Sequence, residues 1–366
     1  MATSTESTTR LLIQPGAGTA ALLDDIERAR HTIHVVVFRF DRREIEMALK
    51  RAARRGVFVH ALVAHTSAGQ GGEITLRNLE MRLLADGITV TRTATDLVRY
   101  HDKLMIIDNE TLYLLGFNFT YLDIDRSRSF GVVTREKIWV DEAEKMFMAD
   151  ATRQQYSPEC ETFIVSPGNS RRQLMALIES AHRQLLIYDG KLSDPDVMRL
   201  LAQKVRAGVD VRVIGSAGKR AIGVKTGRLF IRLHAQIILC DGEKMFLGSQ
   251  SLRTLELDAR REAGIITDNP EIIQSVLETF EVDWSKIYSD QATAKVVFGR
   301  PEALEDIEPE APSPLPPAVT AEMVQAAVKE AIMDAILDRV EPKDNSVQLK
   351  QAVKEAAREA LRELAQ

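Results

Sequence analysis

The chain repeats itself, and a duplicated chain is constrained to fold as two copies of one unit. Leu12-Ile13-Gln14-Pro15-Gly16 is answered 152 residues later by Ile164-Val165-Ser166-Pro167-Gly168. At the same shift Leu22, Ile26, Glu27 and Ala29 meet the identical residues Leu174, Ile178, Glu179 and Ala181, and Arg55-Gly56-Val57 meets Ala207-Gly208-Val209. Within a copy, residues 32–40 are rich in Val and Phe and read as a strand. Residues 44–54 place Ile45, Ala48 and Leu49 at helical spacing, and residues 57–63 read as a strand again. Strands alternating with helices predict a mainly parallel sheet flanked by helices. The fold expected is α/β, two mixed- or parallel-sheet halves packed as a pseudo-twofold pair, with a helical tail at the C-terminal end.

Further along, the shift drops to 133, because the first copy holds extra residues within 64–98, where residues 73–84 read as an additional helix. The second copy has instead a glycine-rich, basic stretch over residues 216–228, a loop by composition, in which Lys219 and Arg220 are candidate substrate-binding residues. In the 133 register, Arg99-Tyr100-His101-Asp102-Lys103 with Asp108 pairs with Arg232-Leu233-His234-Ala235-Gln236 with Asp241. Both copies read His-x-[Lys/Gln]-x-x-x-x-Asp with apolar residues between. That pattern predicts a buried strand whose alternation sets each histidine beside the residue two positions on. Two histidines in register, equally spaced to an aspartate, point to chemistry rather than to packing.

These motifs resemble those of the phospholipase D superfamily, whose members carry H-x-K-x-x-x-x-D twice, each followed by G-S-x-N and a downstream glutamate. The resemblance covers about residues 11–290. Leu115-Gly116-Phe117-Asn118 and Gly248-Ser249-Gln250-Ser251 stand in the G-S-x-N slots, and the glutamate slots hold Ser129 and Glu262. The resemblance implies that His101 is the nucleophile, forming a phosphohistidine, and that His234 is the acid and then the base. Lys103 and Asn118 would hold the non-bridging oxygens, Asp108 and Asp241 would orient or support, and Glu262 would orient a histidine. Gln236, Ser249 and Ser251 would line the substrate site, where Gln236 and Ser251 depart from the family's lysine and asparagine. No carboxylate cluster has metal-ligand spacing, so neither a metal nor a cofactor is expected. The activity implied is phosphodiester hydrolysis or exchange, with phospholipid favoured as in cardiolipin synthase-like members. A nuclease is the alternative, and a phosphate-binding protein that has lost catalysis is the third reading.

Composition supports this order only loosely. Residues 301–366 hold 14 acids and 7 bases, which leaves the body near neutral with 39 acids and 41 bases, and only 5% of the chain is aromatic. A nuclease gripping by bulk charge and base stacking would carry more of both. Cys160 and Cys240 form no C-x-x-C pattern, no run approaches a membrane span, and residues 1–10 hold no apolar signal core, so a cytoplasmic protein with at most peripheral membrane contact is expected. The domains expected are the halves 1–150 and 151–300, an acidic proline-rich linker over 301–320, and a helical tail over 321–366 whose apolar faces would serve self-association or a protein partner.

Overall fold

A computed structural model of the chain describes residues 8–65 and 72–297. The expected linker and tail helices lie outside these residues. The first half runs β1 (Thr9–Gln14), α1 (Ala20–Arg28), β2 (Thr32–Val37), α2 (Arg43–Arg54), β3 (Phe58–Val63), α3 (Gly72–Leu84), β4 (Thr89–Arg92), β5 (Arg99–Tyr100), β6 (Leu104–Ile107), β7 (Thr111–Leu115), α4 (Tyr121–Asp125), β8 (Ser127–Thr134) and α5 (Lys137–Ala151). The second half runs β9 (Phe163–Ser166), α6 (Ser170–Glu179), β10 (Gln184–Leu192), α7 (Pro195–Arg206), β11 (Asp210–Ala217), β12 (Lys225–Gly227), β13 (Arg232–Leu233), β14 (Gln236–Cys240), β15 (Lys244–Gly248), α8 (Thr254–Asp258), β16 (Arg260–Thr267) and α9 (Pro270–Val297). Residues 8–65 and 78–289 form one compact unit, and residues 72–77 at the start of α3 and 290–297 at the end of α9 fall outside it.

The repeated landmarks have a local cause. Gly56 and Gly208, at φ +92 and +90, end α2 and α7, and the next residue's N–H returns into the helix, Val57 to Ala52 O and Val209 to Lys204 O. A left-handed C′ position of this kind favours glycine, which turns the chain straight into the following strand. Asp194 caps α7, accepting from the Asp196 and Val197 N–H groups ahead of Pro195 at the first turn.

Two eight-stranded sheets result, in the orders β1-β8-β7-β6-β2-β3-β4 and β12-β11-β10-β14-β15-β16-β5, with β13 added beside β8 in the first and β9 beside β16 in the second. They are mixed rather than mainly parallel: β2, β3 and β4 are parallel, whereas β6, β7 and β8 form an antiparallel meander. The helix-bearing start of each copy makes parallel pairs and its end makes hairpins. The turn after β6 uses Asp108 and Asn109 at positive φ. The basic stretch 216–228, expected as a loop, contributes the short edge strand β12 beside β11.

The halves are interlocked by exchange. β5 leaves its own sheet to pair with β16 of the second, and β13 pairs reciprocally with β8 of the first. A core that includes Leu104, Ile106, Leu114 and Phe130 from one sheet and Leu186, Tyr188, Ile237 and Leu247 from the other lies between them. Two symmetric ion pairs cross the same boundary, Arg128 to Asp283 at 2.7 and 2.9 Å and Arg261 to Asp150 at 2.9 and 3.0 Å. Asp283, 2% exposed, also accepts the Tyr188 hydroxyl at 2.8 Å. Asp283→Ala therefore strands a largely buried guanidinium and a buried phenol, and is expected to cost about 3–5 kcal/mol of stability in urea unfolding; a loss below about 1 kcal/mol would show that solvent reaches Arg128 in its place.

Candidate functional site

The exchange of short strands builds the site. Residues 101–103 and 234–235 are not strand, as the alternation argument expected; they are the crossings where the chain passes from one sheet to the other. The His101 N–H donates to Arg261 O at 2.8 Å and the His234 N–H to Arg128 O at 2.9 Å, so each histidine is pinned to the opposite half. Beyond each crossing the chain re-enters its own sheet, through β6 and β14 respectively.

Each imidazole then meets a buried carboxylate at Nδ1. His101 Nδ1 is 2.9 Å from Glu262 Oε1, where Glu262 is wholly buried and comes from the other half. His234 Nδ1 is 2.9 Å from Asp123 Oδ2, again across the halves. The histidine side chains keep 16% and 13% exposure while both carboxylates keep 3% or less, so the rings alone reach toward solvent. The contact with Glu262 engages His101 Nδ1 in a hydrogen bond and that with Asp123 holds His234 Nδ1 at ion-pair distance, so Nε2 is the ring nitrogen turned from each carboxyl group.

Asp123 is the residue that the sequence motifs missed. The family pattern looks for the acid at position 129, where Ser129 instead donates to Asp123 O at 3.1 Å. Asp123 sits on α4, capped by Thr120, and accepts from both the Asn118 backbone N–H and its Nδ2 at 2.8 Å, with Arg232 on its other oxygen. The 133 shift does contain a signal, since position 123 falls on Glu256, and Glu256 accepts the Ser251 N–H as Asp123 accepts that of Asn118. Of this pair the first-half acid is the one set against a motif histidine, His234.

Around His101, Lys103 Nζ lies 3.0 and 3.1 Å from the two ring nitrogens and 2.6 Å from His101 O, 2% exposed. Burial, then the Lys103, Arg260 and Arg99 cations, hold His101 well below the ordinary imidazole value, so it is neutral. Burial pushes Glu262 well above the carboxyl range against the pull of Lys103, and lowers Lys103 to about 8. Around His234 the balance differs. Burial lowers its pKa while Asp123 raises it, and Asp123 itself, held by His234, Arg232 and Asn118 against burial, stays ionised. One histidine is thus surrounded by cations and the other rests on a permanent carboxylate.

The other expected residues divide. Asn118 is in the site but gives an amide N–H to Asp123, leaving one more for a ligand. Gln236 enters at the start of β14, its Oε1 buried without a partner, where Asp189 is its neighbour in β10. Ser251 donates to that Asp189 at 2.7 Å, and Ser249 Oγ lies against the Ala263 backbone next to Glu262. Gly116 stands where the pattern has serine because a Cβ there would lie 2.9 Å from both Gly248 O and Phe130 O, at the crossing of the halves. Asp108 and Asp241, counted with the catalytic candidates in an orienting or supporting role, tie backbone at a distance from the histidines' carboxyl partners. Each stands at the far end of its strand, β6 or β14, and accepts three backbone N–H groups, from Arg30, His31 and Thr32 or from His182, Arg183 and Gln184. Lys219 and Arg220 are exposed in the turn before β12, outside the buried group at the histidines. Among the described residues, no three His, Cys, Asp or Glu side chains gather as metal ligands.

Comparison with known proteins bears on the fold that carries these residues. Residues 22–151 match the family model described as cardiolipin synthase, phospholipase D-like domain. A search of curated proteins finds no match. Among solved structures, a polyphosphate kinase from Porphyromonas gingivalis matches with a TM-score of 0.64 and 17% identity over 75% of this chain and 50% of that one, so this chain spans about half the kinase's length. Phosphatidylserine synthase from Haemophilus influenzae Rd KW20 matches with a TM-score of 0.58 and 10% identity over 76% of this chain and 86% of its own. At these identities the likeness is one of fold: the chain takes the duplicated phospholipase D-like architecture.

Proposed function

We propose that this chain, whose residues 22–151 match a phospholipase D-like domain, is a phospholipase D-like enzyme that cleaves or exchanges phosphodiesters without a metal through a phosphohistidine on His101. The observation that carries this reading is the crossed pair of histidines, each with Nδ1 against a buried carboxylate of the opposite half. In the first step neutral His101 Nε2 attacks phosphorus, the P–O bond to the leaving alcohol breaks, and His234 gives that alcohol its proton. In the second, His234 takes a proton from water or an acceptor alcohol, whose oxygen attacks phosphorus and releases His101. Lys103, Gln236 and the remaining Asn118 N–H lie on hand for the non-bridging oxygens.

Phospholipid is the substrate class this site favours. Its cations Lys103, Arg260 and Arg99 are gathered around the nucleophile, opposite a glutamine whose strand neighbour is the buried acid Asp189. That charge balance suits a single monoanionic diester better than a run of phosphates, which needs several cations along its path. The test is a panel in EDTA comparing headgroup or phosphatidate release from mixed micelles with cleavage of single- and double-stranded DNA and RNA. Lipid turnover is expected. Nucleic-acid cleavage alone would replace the substrate class, and no turnover on any diester would leave only a phosphate-binding protein.

A further inference from the structure

Residues 216–232 contain five basic residues and no acid, in a body that is otherwise near neutral. They run through β12, the outermost strand of the second sheet, and end two residues before His234. This same stretch exposes three large apolar side chains within ten residues, Phe230 at 75%, Ile222 at 69% and Ile231 at 40%, the first two the most exposed of the large apolar side chains in the described residues. Their neighbours Ala221 and Leu229 are turned inward and pack on the core, so the backbone is anchored and the exposed set is a property of the surface. Lys225 pairs with Asp210 and Arg232 with Asp123, while Arg220 and Arg228 are exposed.

Apolar side chains that project from a rigid edge between arginines have a specific complement. Water penalises the exposed Ile and Phe, and an acyl boundary beneath anionic headgroups accepts both the apolar tips and the guanidinium groups. A nucleic acid would take the arginines, but two of the three apolar groups are isoleucines, which offer no ring for a base to stack on. We propose that residues 219–231 form a docking strip for an anionic lipid surface, with Ile222, Phe230 and Ile231 entering the acyl boundary and Arg220 and Arg228 pairing with lipid phosphates. Because Phe230 lies four residues from His234, docking along this edge brings the histidine crossing to the lipid surface. This inference rests on the lipid reading of the site and adds to it the face by which the enzyme meets its substrate.

The test uses the full chain and two kinds of vesicle, phosphatidylcholine alone and equal parts phosphatidylcholine and phosphatidylglycerol, with binding read by flotation. Binding to the mixed vesicles and little to the neutral ones is expected. Ile222→Ser with Phe230→Ser should weaken it by about thirtyfold or more, since two apolar side chains return to water, and Arg228→Ser by about fivefold. Turnover of the soluble diester bis(p-nitrophenyl) phosphate, read in parallel, should be unchanged in these variants. Failure of the wild type to float, or equal flotation of the double serine variant, overturns the strip whatever the turnover. Flotation that depends on these residues with no diester turnover leaves the strip standing and removes the enzyme. Loss of single-stranded RNA binding in the serine and Arg228 variants, without vesicle binding by the wild type, would assign the strip to nucleic acid instead.

Discussion

His101→Ala is expected to lower kcat by about 10⁴-fold or more on every diester that the wild type turns over, because it removes the atom that bonds to phosphorus. His234→Ala is expected to lose about 10²–10⁴-fold, the range of a general acid and base. The two losses also differ in kind. A p-nitrophenolate leaving group departs without a proton, so it should restore much of the first step in His234→Ala and none in His101→Ala. The environments give the roles this order. His101 lies under Lys103 and is kept neutral by burial and by cations, whereas His234 has the one acid in the site that is held ionised. Equal rescue of both variants by the activated substrate would mean that neither histidine attacks phosphorus.

Asp123→Asn should cost about 10²–10⁴-fold in kcat/KM and leave the fold in place, since the amide oxygen can still accept the Asn118 N–H. The diagnostic readout is the pH profile. Burial depresses the His234 pKa below the usual imidazole value and the Asp123 carboxylate opposes this by favouring the imidazolium. The acid is therefore present below that pKa and lost as pH rises through it, so kcat/KM should fall on an alkaline limb. Without the carboxylate the pKa drops further, and the limb must move to lower pH. A bound diester adds negative charge next to the ring, so the limb in kcat should lie at higher pH than the limb in kcat/KM. If the variant lost activity uniformly at all pH values, Asp123 would be a structural residue rather than the positioning partner of His234.

Much of this was legible in the sequence because duplication is written in identities and in spacing. The landmarks at Gly56 and Gly208, the paired aspartates 108 and 241 and the two histidines all recur in register, and the structure superimposes their contacts. Periodicity reports the faces of local elements and nothing about which sheet a strand joins. For that reason the His101 and His234 segments read as simple strands, and their passage between sheets, on which both histidine–carboxylate pairs depend, was invisible. The same limit hid Asp123. Its role arises from a contact across 111 residues, and Ser129 in the expected slot looked like a missing acid when the acid stands six positions earlier, on a helix turn capped by Thr120. The aspartates of the repeated motif, expected to orient or support, owe their even spacing to the repeated tie of a strand end to three backbone N–H groups.

The most direct test of the account is to quench the enzyme with acid-free denaturant during turnover of a diester labelled at phosphorus, digest it under alkaline conditions and locate the label by mass spectrometry. The account predicts an acid-labile phosphoryl adduct on the peptide bearing His101, absent in His101→Ala and building up in His234→Ala with the p-nitrophenyl substrate, where the second step has lost its base. An adduct on His234, or turnover at the wild-type rate in His101→Ala, would contradict it.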